Sequence, residues 1–216
     1  METLRIDLRG VNAYLVCPED EKPTLVDAGT PWSASKIRAG VEEAGYTLKD
    51  IERILITHYD IDHVGGLSRL ERAGLDAPVY TAEPDASFLD GAAKPPLRNR
   101  KGVFQRLVGV AVRRPSLSVE RVEDGDRVAG FEVRATPGHT PGHVVYIHGE
   151  TAFLGDAVRE KDGSFELLPS FMSYDRGEAK ESVRALAEDF DAETAYVGHG
   201  EPVENATEKL RALVST

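Results

Sequence analysis

Four side chains that can bind metal ions lie within six residues, and this run restricts the fold more than any other part of the chain. They are His58, Asp60, Asp62 and His63. A helix would spread them around its circumference, and a regular strand would divide them between its two faces. Residues 51–57 are predicted as a strand and residues 64–67 as the start of a helix. The four side chains are therefore expected on a strand-to-helix loop, whose irregular backbone can direct them to one point.

The chemistry of this run favours a transition-metal site. Imidazole and carboxylate together suit zinc, iron or manganese, whereas sites made only of oxygen atoms favour calcium or magnesium. The alternative is a polar loop whose histidines make ordinary hydrogen bonds. Two histidines and two aspartates this close together, with further groups of the same kind downstream, favour the metal site.

Those further groups share a position in the predicted structure, because each follows a strand and lies beside glycine. They are Asp27, His139, Asp156 and His199. Ligands in α/β proteins gather where strand ends meet loops, so all these points can converge on one pocket. For Asp27 two roles stay open: capping the following turn, or orienting a histidine ligand through its second ring nitrogen. His143, four residues after His139, is expected to be structural or to support a ligand.

The remaining pattern predicts an α/β fold in a single domain, residues 1–216. Strands are predicted at 3–8, 12–16, 24–27, 51–57, 78–81, 118–122, 131–136, 144–148, 151–154 and 195–197, and helices at 33–44, 67–73, 83–89, 176–189 and 205–213. Residues 90–116 interrupt this alternation with the one strongly basic stretch of the chain. They are either a solvated insertion or a lid, whose cations would help to hold an anionic substrate and whose apolar part would cover the pocket. The lid is the favoured interpretation.

Composition narrows the class of partner. The formal net charge of −11 argues against nucleic acid as a partner. No apolar run approaches the roughly 20 residues needed to span a bilayer, and the first residues lack a signal peptide's basic start and apolar core. We therefore expect a cytoplasmic protein that acts on a small molecule without a membrane. A homodimer is compatible with the sequence, although no stretch marks an interface.

In their order along the chain, these motifs resemble the metallo-β-lactamase superfamily over nearly its whole length. The phrase from Thr136 to His143 (Thr-Pro-Gly-His-Thr-Pro-Gly-His) and the Gly-His-Gly at 198–200 are typical of it. The resemblance implies a four-layer αββα sandwich with two metal ions. By position, His58, Asp60 and His139 would bind the first metal and Asp62, His63 and His199 the second. Asp156 would bridge the two metals, and Asp27 would support a ligand.

Asp60 departs from the family pattern, in which most members have histidine. A carboxylate is a harder, anionic donor, so it shifts the preference of the first position toward iron or manganese. Two divalent ions are expected, with zinc as the first choice and iron or manganese as alternatives because of Asp60.

The resemblance implies a metal-dependent hydrolase in which water attacks an ester, thioester or lactone bond and Asp62 accepts a proton. The motifs are similar to those of glyoxalase II, whereas lactonases of the superfamily carry a tyrosine soon after the bridging aspartate and this chain does not. Tyr174 is a candidate for the substrate pocket, with loop packing as the alternative. Two other functions stay open: a mononuclear iron dioxygenase for a thiol or persulfide, using His58, His139 and Asp156, and a non-catalytic metal-binding protein.

Overall fold

Two six-stranded sheets form the centre of the computed structural model, which describes residues 1–18, 21–97, 100–109 and 113–215. The first sheet consists, in spatial order, of β1 (Glu2–Asp7), β2 (Asn12–Cys17), β3 (Thr24–Val26), β4 (Arg53–Leu55), β5 (Val79–Ala82) and β6 (Val119–Val122). Strands β1 to β3 pair antiparallel, and β3 to β6 pair parallel. The parallel strands therefore end at the same edge of this sheet.

The second sheet is mainly antiparallel. Its strands are β7 (Arg127–Val128), β8 (Phe131–Ala135), β9 (Val144–His148), β10 (Thr151–Gly155), β13 (Thr194–Val197) and β14 (Val203–Glu204). Only β10 and β13 pair parallel. A separate hairpin, β11 (Arg159–Lys161) with β12 (Ser164–Glu166), follows β10 in the chain.

The described helices lie on the outer faces of the sheets and at the edge that carries the candidate ligands. They are α1 (Ala34–Glu43), α2 (Ile61–Val64), α3 (Leu67–Arg72), α4 (Asp85–Asp90), α5 (Arg100–Gly109), α6 (Arg176–Asp189) and α7 (Ala206–Val214), with a 3₁₀ turn at Ser170–Met172. The apolar faces of α1 and α3 pack in one buried cluster with the first sheet, and those of α6 and α7 pack in another with the second sheet. None of the described helices is long and apolar enough to cross a membrane.

Alternation along the strands produces the layers. In β2, Leu15 packs toward the helices while Tyr14 faces the other sheet, and in β10, Leu154 and Phe153 divide in the same way. Successive strand residues point to opposite faces, so a strand that is apolar at every position must be covered on both sides. The predicted αββα sandwich of the metallo-β-lactamase fold is confirmed.

Backbone hydrogen bonds join the two sheets at one edge. The amide of Val144 donates to the carbonyl of Thr57 at 2.9 Å, and the amide of Asn12 donates to the carbonyl of Gly198 at 2.9 Å. Each bond joins a segment of one sheet to a segment of the other, so the loops at this edge are held side by side. All the candidate metal ligands lie on these loops or in the short helix α2 at the same edge.

Two local predictions needed revision. The strand predicted at 51–57 is shorter, because only Arg53–Leu55 pair in the sheet. The metal-binding run is also not wholly a loop, since Asp62 and His63 lie in the single helical turn of α2, which begins directly after Asp60. In the insertion at 90–116, the described residues include helix α5; residues 98–99 and 110–112 of the predicted lid lie outside the described chain.

Candidate metal centre

Six of the predicted ligands form two groups at the joined sheet edge. His58, His139 and Asp156 form the first group, and Asp62, His63 and His199 form the second. Within each group, one potential ligand atom from each residue lies within 4.8 Å of the others. The loops after β4, β8, β10 and β13 and the turn of α2 supply these side chains. Residues far apart in the chain thus meet because their strands end at one edge.

Asp156 lies between the two groups. Its Oδ2 atom is 3.4 Å from Nε2 of His139 in the first group and 3.3 Å from Nε2 of His199 in the second. Its Oδ1 atom is 3.5 Å from Nε2 of His63. One carboxylate therefore faces donors of both groups, which is the position that a bridging ligand needs.

The donor atoms at this centre fit cations. Four buried atoms that face it make no hydrogen bond with any described residue: His58 Nε2, His63 Nε2, His199 Nε2 and Asp156 Oδ1. Buried polar atoms without partners are rare because each one costs free energy. Gly198 leaves space for the centre, since a Cβ atom there would lie 2.9 Å from Cε1 of His63 and would also collide with Asp156. The residues present thus fit two divalent ions.

The opposite ring nitrogens of three histidines are fixed by hydrogen bonds. Nδ1 of His63 donates to Oδ2 of Asp27 at 2.8 Å, and Nδ1 of His199 donates to the carbonyl of Gly10. Nδ1 of His58 lies 3.0 Å from Oγ1 of Thr57, whose hydroxyl donates to Asp27. Such contacts select the tautomer and hold the ring, so that Nε2 remains available for a metal.

Asp27 has a left-handed backbone conformation, which is uncommon for residues other than glycine. Its φ of 59° lies in the left-handed region, where aspartate and asparagine are tolerated better than most residues. Its carboxylate also accepts the amide of Thr57 at 2.9 Å. The carboxylate therefore joins the end of β3 to the metal-binding run, and it contacts His63 as the orienting role requires.

Burial and nearby charges act in opposite directions on the histidines. Burial lowers the pKa of His63, but the carboxylates of Asp27 and Asp156 outweigh it and raise that pKa to about 10. Burial likewise lowers the pKa of His199, and Asp156 raises it to about 9. His58 has its pKa lowered to about 4, by burial first and then by the neighbouring His63. A metal ion would replace the protons on His63 and His199, as metal binding to imidazole requires.

Asp60 contacts the first group and also helix α5. Its Oδ2 atom is 3.0 Å from Nε2 of His139 and 2.8 Å from Nζ of Lys101. Its Oδ1 atom accepts a hydrogen bond from Nε2 of Gln105 at 2.5 Å. Burial raises the pKa of Asp60, but the Lys101 ammonium and the two nearby histidines outweigh it and hold that pKa well below its usual value. The predicted ligand is thus present at the first group with both oxygens engaged.

A cavity of about 630 Å³ opens beside the centre, with Asp60, Asp62, His139 and Asp156 in its wall. Its apolar wall is formed by Ile61, Val64, Phe104, Phe171 and Met172. Arg100 and Lys101 of α5 add two cationic side chains to the lining. The insertion therefore contributes residues of both kinds expected of a lid.

Tyr174 is not in the cavity wall. Its hydroxyl donates to the side-chain oxygen of Gln105, which does line the cavity, and its amide donates to the carbonyl of His139 at 3.1 Å. Tyr174 therefore contacts helix α5 and the loop of His139, and its predicted contact with substrate stays a prediction.

Sequence reasoning missed the roles of Lys101, Gln105 and Asp85. Asp85 accepts hydrogen bonds from the Tyr59 amide at 2.7 Å, the Thr140 hydroxyl at 2.6 Å and the Gly142 amide at 3.0 Å. It joins the loop that carries His58 to the loop that carries His139. No local pattern indicated this, because Asp85 reads as an ordinary acidic residue in the first turn of a helix.

His143 supports the metal centre through the backbone of Asp156. It is fully enclosed, its Nε2 accepts the amide of Asp156 at 3.1 Å, and its Nδ1 lies 2.8 Å from the hydroxyl of Thr136. Burial lowers the pKa of His143 well below its usual value, so the ring is neutral. It fixes the backbone of Asp156, in the structural role that the sequence suggested.

Comparison with known proteins identifies the family. The family model of the metallo-beta-lactamase superfamily matches residues 6–214. The chain belongs to this superfamily. Among its relatives, the uncharacterized protein YobT of Bacillus subtilis (strain 168) is 29% identical over 214 residues, covering 94% of this chain and 89% of YobT. The probable metallo-hydrolase YflN of the same organism is 28% identical over 228 residues, covering 93% of this chain and 83% of YflN.

Solved structures of the superfamily agree with this assignment. The protein TTHA1623, solved in a di-iron-bound form, is 30% identical to this chain with a TM-score of 0.69, and 94% of each chain is covered. These relationships place the chain in the superfamily, in which YflN is described as a probable metallo-hydrolase, and they do not identify a substrate.

Proposed function

We propose that this superfamily member is a two-metal hydrolase that cleaves an ester, thioester or lactone bond of a small molecule. The observation that carries this proposal is the position of Asp156, whose oxygens face histidines of both groups at 3.3–3.5 Å. A mononuclear site would not require a second complete group beside this carboxylate. Zinc is the first expectation for both positions, and the di-iron form of TTHA1623 supports iron as an alternative.

The chain's own residues suit hydrolysis without a serine or cysteine nucleophile. Two bound divalent ions would supply an activated water and polarise the scissile carbonyl. Asp62 lines the cavity and its side chain is one-third exposed, with Oδ2 3.6 Å from Nε2 of His199. A carboxylate at the junction of cavity and centre can accept the proton that is released as water attacks.

The cavity indicates the kind of substrate. Its volume of about 630 Å³ is in the range of pockets that enclose small molecules. Ile61, Phe104 and Phe171 offer apolar surface, while Arg100 offers positive charge. A small ester or thioester with an apolar part and an anionic group would match both surfaces.

A mononuclear iron dioxygenase is the second candidate, and one observation favours it. Both oxygens of Asp60 are engaged by α5, which leaves His58, His139 and Asp156 as a three-residue site. Two histidines and one carboxylate with open positions are typical of non-haem iron oxygenases. In that case the second group would hold no catalytic metal.

The deciding experiment is elemental analysis of the full chain purified without added metal, followed by assays of esters, thioesters and lactones. About two equivalents of metal per chain with hydrolysis of one substrate class would support the hydrolase. About one equivalent of iron with oxygen uptake on thiol substrates would support the dioxygenase. A chain that retains no metal and binds none on addition would contradict both.

Replacing Asp62 separates the two candidates at the level of a residue. In the hydrolase, Asp62→Ala removes the proton acceptor and a ligand of the second group, so the turnover rate should fall by about 10²- to 10⁴-fold. The circular dichroism spectrum should be unchanged, because Asp62 is partly exposed at the cavity. Asp191→Ala, at an exposed aspartate outside the cavity lining, is the matched control. Unchanged hydrolysis by Asp62→Ala would exclude this role.

We further propose, as the sequence suggested, that the protein works in the cytoplasm on a small molecule, without nucleic acid or membrane. A homodimer and the single-domain organisation over residues 1–216 also remain predictions.

A further inference from the structure

Helix α5 places a lysine ammonium against two predicted ligands of the first metal position. The side chain of Lys101 is 7% exposed, and its Nζ lies 2.8 Å from Oδ2 of Asp60. The same Nζ lies 2.5 Å from Nε2 of His139. A buried lysine is uncommon unless it is paired, and here the pairing partners are residues of the metal centre itself.

Lys101 contacts atoms that would bind a metal ion, namely Nε2 of His139 and Oδ2 of Asp60. A neutral imidazole nitrogen has one lone pair, so Nε2 of His139 cannot accept a hydrogen bond from Lys101 and bind a cation at the same time. Metal–nitrogen distances are about 2.0–2.1 Å, which leaves no room for an ammonium at its present distance on the same side of the ring. Lys101 and a metal ion are therefore alternative occupants of this position.

Asp60 is held in the same arrangement by a second residue of α5. Nε2 of Gln105 donates both to Oδ1 of Asp60 and to the carbonyl of Tyr59, each at 2.5 Å. The hydroxyl of Tyr174 donates to the side-chain oxygen of Gln105, which fixes the direction of its amide. Release of Asp60 to a metal ion would thus require a change in several contacts of α5.

The second group has no such competitor in the described part of the chain. Asp62 forms an ion pair only with His199 there, and His63 is held by Asp27 on the side away from the centre. A cation that enters there displaces the protons of His63 and His199 but no lysine or arginine. The two positions therefore differ in what must leave before a metal ion enters.

We propose that Lys101 is a built-in competitor for the first metal position, so that the two positions bind metal with unequal affinity, the second more tightly than the first. Occupation of the first position releases the Lys101 ammonium into the cavity that it lines. This inference rests on the proposed two-metal function, because it assigns different affinities to its two positions.

The test measures stepwise zinc binding to the metal-free full chain, by competition with a chromophoric chelator. The wild-type chain should bind one equivalent tightly and the second weakly. Lys101→Met keeps the length of the side chain and removes the charge, so it should strengthen the weak step by about tenfold to a hundredfold and leave the tight step unchanged. Lys101→Gln, which keeps a hydrogen-bond donor for Asp60, should strengthen the same step and provides a second variant if the methionine variant does not fold.

Arg106→Met is the matched control, because Arg106 lies on the same helix but outside the cavity lining. Identical binding curves for wild type and both Lys101 variants would overturn the inference while leaving a two-metal protein. A weaker second step in the variants would also overturn it, since Lys101 would then support metal binding. If no chain binds zinc, iron or manganese, the proposed function itself fails, and the inference fails with it.

Discussion

The two halves of the metal centre use similar donors but are enclosed differently. In the first half, the side chains of His58 and His139 are 0% and 2% exposed, and Lys101 of helix α5 contacts His139. In the second half, the side chains of Asp62 and His199 are 34% and 25% exposed. One half is closed by the insertion, and the other opens toward solvent.

Because similar ligands have different surroundings in the two halves, we expect their metal affinities to differ. The first half depends on contacts that join distant loops and on a lysine within the site. The second half depends on the Asp27 carboxylate, which accepts a hydrogen bond from Nδ1 of His63, and on the space that Gly198 leaves beside that ring. Metal binding at one half should therefore remain measurable in variants that change the other half.

The largest expected effect comes from filling the space of the second half. Gly198→Ala adds a methyl group 2.9 Å from Cε1 of His63 and in collision with Asp156, while no ligand is removed. Metal sites require ligand distances within about 0.2 Å, so affinity at the second position should fall by about a hundredfold or more. The first position should weaken as well, because the displaced Asp156 also faces His139. The zinc titration described for Lys101 measures this loss directly.

Gly177→Ala is the control for Gly198→Ala. It lies exposed in the first turn of α6, where an added methyl would meet only the Asp175 carboxylate, at 3.2 Å. Both variants add one methyl group to a chain of otherwise identical composition. If Gly198→Ala had the same two stepwise zinc affinities as the wild type, the second group would not be a metal position.

A smaller effect should follow from changing the contact at the Nδ1 atom of one histidine in each half, His63 in the second and His58 in the first. Asp27→Asn keeps the left-handed backbone, which asparagine tolerates, but removes the charge that faces Nδ1 of His63. Affinity at the second position should fall by about tenfold to a hundredfold, as for other groups that orient metal-binding histidines. Stepwise zinc affinities of the variant and the wild type, measured at one pH, give the ratio.

Thr57→Val is the counterpart for the first half. It removes the hydroxyl beside Nδ1 of His58 and keeps the backbone amide that donates to Asp27. The weaker of the two zinc-binding steps should be the one affected, because His58 belongs to the first group. If both variants weakened the same step equally, the assignment of His58 and His63 to different metal positions would be wrong.

The ligands could be found in the sequence because their signals are local. Each follows an apolar strand and precedes or adjoins glycine, and strand ends of one sheet edge meet in space. Apolar strands and amphipathic helices indicated an α/β domain, and the resemblance to the superfamily implied its four layers. Tertiary contacts changed the details: β4 is three residues long, and α2 forms a helical turn within the metal-binding run.

The roles of Lys101 and Asp85 could not be found in this way. Lys101 is 38 residues from His139, and its basic neighbours in the sequence suggested a solvated or substrate-facing surface. Asp85 is 57 residues from Gly142, and nothing in its own helix indicates that partner. Such contacts depend on how the loops pack, which a pattern of residue types along the chain does not contain.

The smallest effect on metal affinity is expected at Asp85, which supports the loops of the first half without facing the centre. Burial raises the pKa of Asp85 to about 6, although three hydrogen-bond donors act in the opposite direction. Between about pH 4 and 6 the folded state then binds more protons than the unfolded state, so this group's contribution to stability falls as pH rises. The change is at most roughly 3 kcal/mol, from about 1.4 kcal/mol per pKa unit.

Asp85→Asn removes this titration, and comparison with the wild type cancels the titration of all other groups that both chains share. The free energy of unfolding in urea, measured for the metal-free chains at pH 4.5 and 7, should show the wild type losing stability relative to the variant at the higher pH. At pH 7 the stepwise zinc affinities should change by only a few-fold, since neither half loses a ligand. A wild type that instead gains relative stability at pH 7 would show that the hydrogen bonds from Tyr59, Thr140 and Gly142 outweigh burial, and that Asp85 supports the first half as a carboxylate.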